Sequence, residues 1–97
     1  MQFFIQESAE LLLLQPQQQL PAPELLLPFF CQWLKSFPQL QQIQAEQGLD
    51  WLHIRFYFHN AAFALHYEHY SDSCWLDADN ATSAVLLSDL ASLLRSS

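Results

Sequence analysis

The chain has one glycine in 97 residues. That excludes a glycine-rich phosphate loop, which needs several positions where bare backbone can approach the ligand. Basic residues are almost as scarce: Lys35, Arg55 and Arg95 stand against ten acidic residues, for a net charge of −7. Nucleic-acid binding draws most of its affinity from lysine and arginine on phosphates, so no nucleic-acid partner is expected, and no anionic membrane surface either. Cysteine is limited to Cys31 and Cys74, which form neither a CxxC pair nor a framework, so both are expected to be reduced and structural. The amino terminus, MQFFIQESAELLLLQ, lacks a basic n-region and carries glutamates inside its apolar part. It reads as neither signal peptide nor membrane span, which points to the cytoplasm.

Apolar material is plentiful. Hydrophobic residues make up 52% of the chain and aromatics 14%, whereas charged residues reach only 13%, about half the usual share. Twelve glutamines supply the missing polarity. A chain of this length is expected to form a single domain over residues 1–97 with one core. On so weakly charged a surface, any apolar face left uncovered favours a partner or self-association.

Residues 2–6 and 9–14 read as two strands or a hairpin, although AELLLL also suits a helix by composition. QPQQQLPA at 15–22 is a connector. From Pro23 the apolar residues Leu26, Phe29, Phe30, Trp33 and Phe37 recur at helical spacing, predicting a helix over 23–37 that is kinked at Pro28 or begins its regular part there. The next thirty residues alternate. Ile43 and Ala45, then Leu52, Ile54, Phe56 and Phe58, then Phe63, Leu65 and Tyr67 fall on one face. A hairpin closing at Asn60–Ala61 would pair Phe58 with Phe63, Phe56 with Leu65 and Ile54 with Tyr67, and the QGLD turn would pair Ile43 with Ile54. SDS at 71–73 turns into a fourth strand, Cys74–Asp77. Asp79 or Asn80 then caps a closing helix over 80–95, whose buried stripe is Ala84, Val85, Leu87, Leu90, Ala91 and Leu94 and whose negative end carries Arg95. The expected architecture is a two-layer α+β fold: an antiparallel meander sheet with two helices packed on one face.

That register leaves a second face carrying Gln42, Gln44, Glu46, Trp51, His53, Arg55, Tyr57, His66, Glu68 and Tyr70, with Trp75 and Asp77 from the fourth strand. His53 would lie across from Glu68, and Arg55 across from His66, while Tyr67 and His69 lean toward the core. Opposite charges across strands are what a wet sheet face ordinarily carries. The sharper alternative is a metal site on His53, His66, Glu68 and Asp77, since two imidazoles and carboxylates suit iron, zinc or manganese. No pair among them has the short local spacing of a zinc signature. Cys74 with His66 or His69 is a poor nucleophile, because Asp72, Asp77 and Asp79 would raise its pKa rather than lower it. No cofactor is expected. Trp51, Tyr57, Tyr70 and Trp75 are the residue types that dominate interfaces. Together with His53, Arg55, His66 and Glu68 they make a candidate docking surface, unless the amino-terminal segment covers it. A second copy is the simplest occupant, since two-fold dimers are the commonest oligomers, and a different protein would serve equally well.

The order helix, three strands, helix resembles double-stranded-RNA-binding domains in element order only. Those domains place lysines where this chain has DADN at 77–80. The segment FALHYEHYSDSCWLD with its closing helix, residues 63–94, is similar to a small family of uncharacterised bacterial proteins of about 100 residues, a domain of unknown function. That resemblance implies no activity, cofactor or partner. The reading it leaves is a non-catalytic interaction protein, with metal-dependent activity as the alternative.

Overall fold

The alternation that begins at Leu40 does become a sheet. In the computed structural model, which describes residues 3–96, strands β1 (Phe3–Glu7), β2 (Leu11–Pro16), β3 (Leu40–Gln47), β4 (Trp51–Phe58), β5 (Ala61–Glu68) and β6 (Ser73–Ala78) form one antiparallel sheet. Its spatial order is β1-β2-β6-β5-β4-β3, an open sheet in which β3 to β6 meander and the β1–β2 hairpin adds on beside β6. The run LLLL is therefore strand rather than helix, with Leu12 paired to Leu76 and Leu14 to Cys74. Ser8 closes the hairpin turn, its hydroxyl accepting from the Leu11 amide. Gln2, expected in the first strand, lies outside the described residues.

A 3₁₀ turn at Pro23–Leu25 leads into α1 (Leu26–Lys35). Pro28 sits in the first turn of α1, where its missing N–H has no intrahelical acceptor to lose, so it opens the helix and does not kink it. The closing helix comes in two pieces, α2 (Ala81–Ala84) and α3 (Leu87–Arg95). Asn80 caps the first, its side-chain oxygen accepting from the Ser83 amide at 2.8 Å. Between them the Leu86 amide bonds back to the Ser83 carbonyl, tightening the turn. Val85, expected in the buried stripe, is swung outward there and is 79% exposed.

One face of the sheet carries the core. Leu12, Ile54, Phe56, Phe63, Leu65 and Leu76 are fully buried beneath Leu26, Phe30 and Leu34 of α1 and Leu90 and Leu94 of α3, each large side chain stabilising by about 1.5–3 kcal/mol. Arg95 ties the end of α3 to the edge strand, donating to the Glu7 carboxylate at 2.9 Å and to the Ile5 carbonyl at 2.6 Å.

The β4–β5 register differs from expectation. His59 and Asn60 both have positive φ, 51° and 63°, which makes them the two central residues of a tight hairpin turn of the kind that matches strand twist. Phe58 therefore pairs with Ala61, Phe56 with Phe63, Ile54 with Leu65 and Leu52 with Tyr67. The slip is two residues, so every side chain keeps its face and changes its opposite neighbour. A bulge between Gln41 and Gln44, with Gln42 at φ 54°, displaces β3 in the same way, so that Ala45 rather than Ile43 pairs with Ile54.

Candidate functional site

The face away from the helices is built by the same period-2 alternation that builds the core. With the observed register, one row crosses the sheet as Glu46, His53, His66, Trp75, Leu13 and Gln6. The next row holds Gln44, Arg55, Ala64, Asp77 and Leu11. Arg55 thus faces Ala64 and not His66, and His53 faces His66 and not Glu68, which instead lies across from Trp51. Each pairing expected from the sequence is two residues out, for the reason given by the His59–Asn60 turn.

The rings of this face form a continuous chain. Trp51 lies 4.6 Å from His53 between ring centroids, His53 meets His66 edge-on at 4.5 Å, and Trp75 stacks on His66 at 5.1 Å and 15°. His66 Nε2 also lies 2.9 Å from Asp77 Oδ1, so one imidazole is held by a carboxylate on one side and an indole on the other. Burial, and then the neighbouring His66, push the His53 pKa below its ordinary value of 6.5. Around these rings the surface sinks into an open depression of about 360 Å³, lined by Asp50, Trp51, His53, His66, Tyr67, Glu68, Tyr70 and Trp75.

Two turns bound this depression. Asp50 belongs to the β3–β4 turn and Tyr70 to the β5–β6 turn, and the Asp50 carbonyl accepts from the His69 amide at 2.9 Å, tying the turns together. Tyr67 reaches back from the core side to donate to Asp72 Oδ1 at 2.6 Å, and burial with that hydrogen bond pushes its pKa up to about 12. His69 packs edge-on against the Tyr67 ring. Gly48 fits against the Trp51 indole so closely that a Cβ there would collide with it.

Of the residues expected on the docking surface, the structure gathers Trp51, His53, His66, Glu68, Tyr70 and Trp75 at one end, while Arg55 and Tyr57 lie further along the same face. Tyr70 is 85% exposed. Asp50 was not singled out by sequence; it stands at the rim next to Trp51, its carbonyl accepting from the His69 amide. Leu11, Leu13 and Phe4 were also missed as surface residues, because their side of the hairpin is defined only by pairing with β6. That pairing decides another question: the hairpin widens the sheet and does not lie over its aromatic face.

The four side chains of the metal alternative, His53, His66, Glu68 and Asp77, are not brought together as a set. Asp77 reaches His66, but Glu68 sits a row away opposite Trp51 and Ser73, and among the described residues no three His, Cys, Asp or Glu side chains are grouped to hold a metal ion. Cys74 points into the core opposite Tyr67 and Leu14, away from His66, and burial and then Asp72 raise its thiol to about 12. Cys31 is half-buried on α1, its pKa also raised by burial.

A family model described as a protein of unknown function (DUF3630) matches residues 27–95. The match takes in FALHYEHYSDSCWLD and reaches back to α1. No curated protein and no solved structure matches the chain.

Proposed function

The chain belongs to the DUF3630 family, whose description names no activity, and from the site itself we propose that it is a non-catalytic binding module that docks another protein on the open face of its sheet. The observation that carries this is the ring chain Trp51–His53–His66–Trp75, exposed at Trp51 and half-buried along the rest, beside a depression. Trp and Tyr concentrate binding energy when a partner desolvates them. The hairpin residues Leu13, 39% exposed, and Phe4, 62% exposed, extend the apolar area beyond them. Chemistry has less support: the one thiol near the imidazoles is buried on the opposite side of the sheet, and His66 is already engaged by Asp77.

A second copy is a poor occupant. The face carries Glu46, Asp50, Glu68 and Asp77 against Arg55 alone, so two copies would press together two net-negative surfaces, which is costly at an interface. We therefore favour a different protein. Among the described residues no helix is long and apolar enough to cross a membrane. The free thiols of Cys31 and Cys74 fit a reducing compartment, which supports work in the cytoplasm.

Selection of a random peptide library on the immobilised protein tests the reading. Enriched peptides are expected to bind the native chain at least tenfold more tightly than a Trp51→Ala/Trp75→Ala variant whose circular dichroism is unchanged. Peptides that bind both equally, or no enrichment, overturn it. Light scattering at micromolar concentration is expected to give a monomer; a dimer dissolved by the same two substitutions would make a second copy the occupant.

A further inference from the structure

The depression beside Trp51 and Trp75 has walls and charges that specify what enters it. Its floor and sides are π surfaces: two indoles, two imidazoles and the exposed Tyr70 ring. Its rim carries two carboxylates, Asp50 and Glu68, and no lysine or arginine lines it. Among the described residues neither carboxylate has a hydrogen bond or ion pair through its side chain. This differs from Glu7, which Arg95 holds, and from Asp72 and Asp77, which Tyr67 and His66 engage. The His53 pKa lies below its ordinary value, so that wall adds no positive charge near neutrality. The chain as a whole carries −7, which draws cationic partners over distance.

We propose that this depression receives an arginine side chain from the partner protein, stacked on the indoles and paired with Asp50 and Glu68. The proposal rests on the reading of the open face as a docking surface and adds the chemistry of its occupant. A cation gains from standing over an aromatic face within about 6 Å. Guanidinium is the better fit of the two basic side chains, because it is planar, weakly hydrated, stacks on rings and presents several N–H donors to carboxylates at once. An anionic segment would meet two unpaired carboxylates, and a neutral one would leave them desolvated without partners.

The test follows the indole N–H signals of Trp51 and Trp75 by NMR while an octapeptide alternating arginine and threonine is added. Its citrulline and glutamate counterparts, and free arginine amide, serve as the other arms. The arginine peptide is expected to move both signals and to bind at least tenfold more tightly than the citrulline peptide, which has the same shape without the charge. Asp50→Asn with Glu68→Gln is expected to remove at least fivefold of that affinity while leaving the rest of the spectrum in place. Equal binding of the arginine and citrulline peptides, with shifts still confined to the depression, overturns the cation and leaves the docking face standing. Shifts elsewhere, or none with any peptide, overturn both. Arginine amide binding as tightly as the peptide overturns a protein source for the guanidinium.

Discussion

Gly48 shows how a position without a side chain can hold a surface in place. Its φ is not positive, so the turn does not demand glycine for its backbone; the demand comes from the Trp51 indole lying where a Cβ would be. Gly48→Ala is therefore expected to push the ring out of its place beside His53. Since the turn is exposed, stability should change by less than about 1 kcal/mol, while the affinity for the arginine peptide falls at least fivefold. The indole signal of Trp51 in the free protein checks this, and an unmoved signal would refute it. From sequence, a lone glycine in QGLD reads only as a turn. The ring against it becomes visible once the hairpin is folded. The same is true of Asp50 at the rim, whose carbonyl accepts from the amide of His69, nearly twenty residues further along.

Among elements, alternation proved a good guide to faces and a poor one to neighbours. Period 2 decides which side Leu52, Ile54, Phe56 and Phe58 take, and the core confirms them all as buried. It is blind to a two-residue slip, which preserves the faces. The turn sets the register, and His59 at positive φ is not a residue whose chemistry announces such a turn as glycine would. The break between α2 and α3 escaped for a related reason: a stripe of apolar residues can run through a break without interruption in sequence. The short α2 depends on its cap, so Asn80→Ala is expected to cost about 1 kcal/mol, within roughly 0.5–2. Urea unfolding monitored by tryptophan fluorescence measures it, and Asn80→Asp should retain the stability. Equal stability of the alanine variant would mean that packing of Ser83 alone holds this turn.

For the molecule as a whole, alkaline pH is the expected weak point. Burial raises Cys74 from an ordinary 9.0 to about 12, and burial together with Asp72 raises Tyr67 from 10.0 to about 12. In both the native state favours the protonated form. Their contribution is full below the unfolded-state pKa and is lost as the unfolded chain ionises first, so stability should fall between pH 9.0 and about 12. Urea midpoints across that range should decline less in Cys74→Ala, beginning near pH 9.0, and less in Tyr67→Phe, beginning near pH 10.0. Identical slopes in the native chain and both variants would show that neither group drives the loss.

The place of the amino-terminal hairpin in the sheet also has a consequence during synthesis. Leu14 pairs with Cys74, sixty residues further on, so the hairpin leaves the ribosome long before its neighbour exists. At ordinary elongation rates of about 5–20 residues per second, the wait is roughly 3–12 s. Throughout it, four consecutive leucines, Leu11–Leu14, offer a strand edge with apolar side chains on both faces. Nascent chains translated on the same message would present that edge to one another, and a cell making this protein quickly would need a chaperone to stand in for β6 until it arrives.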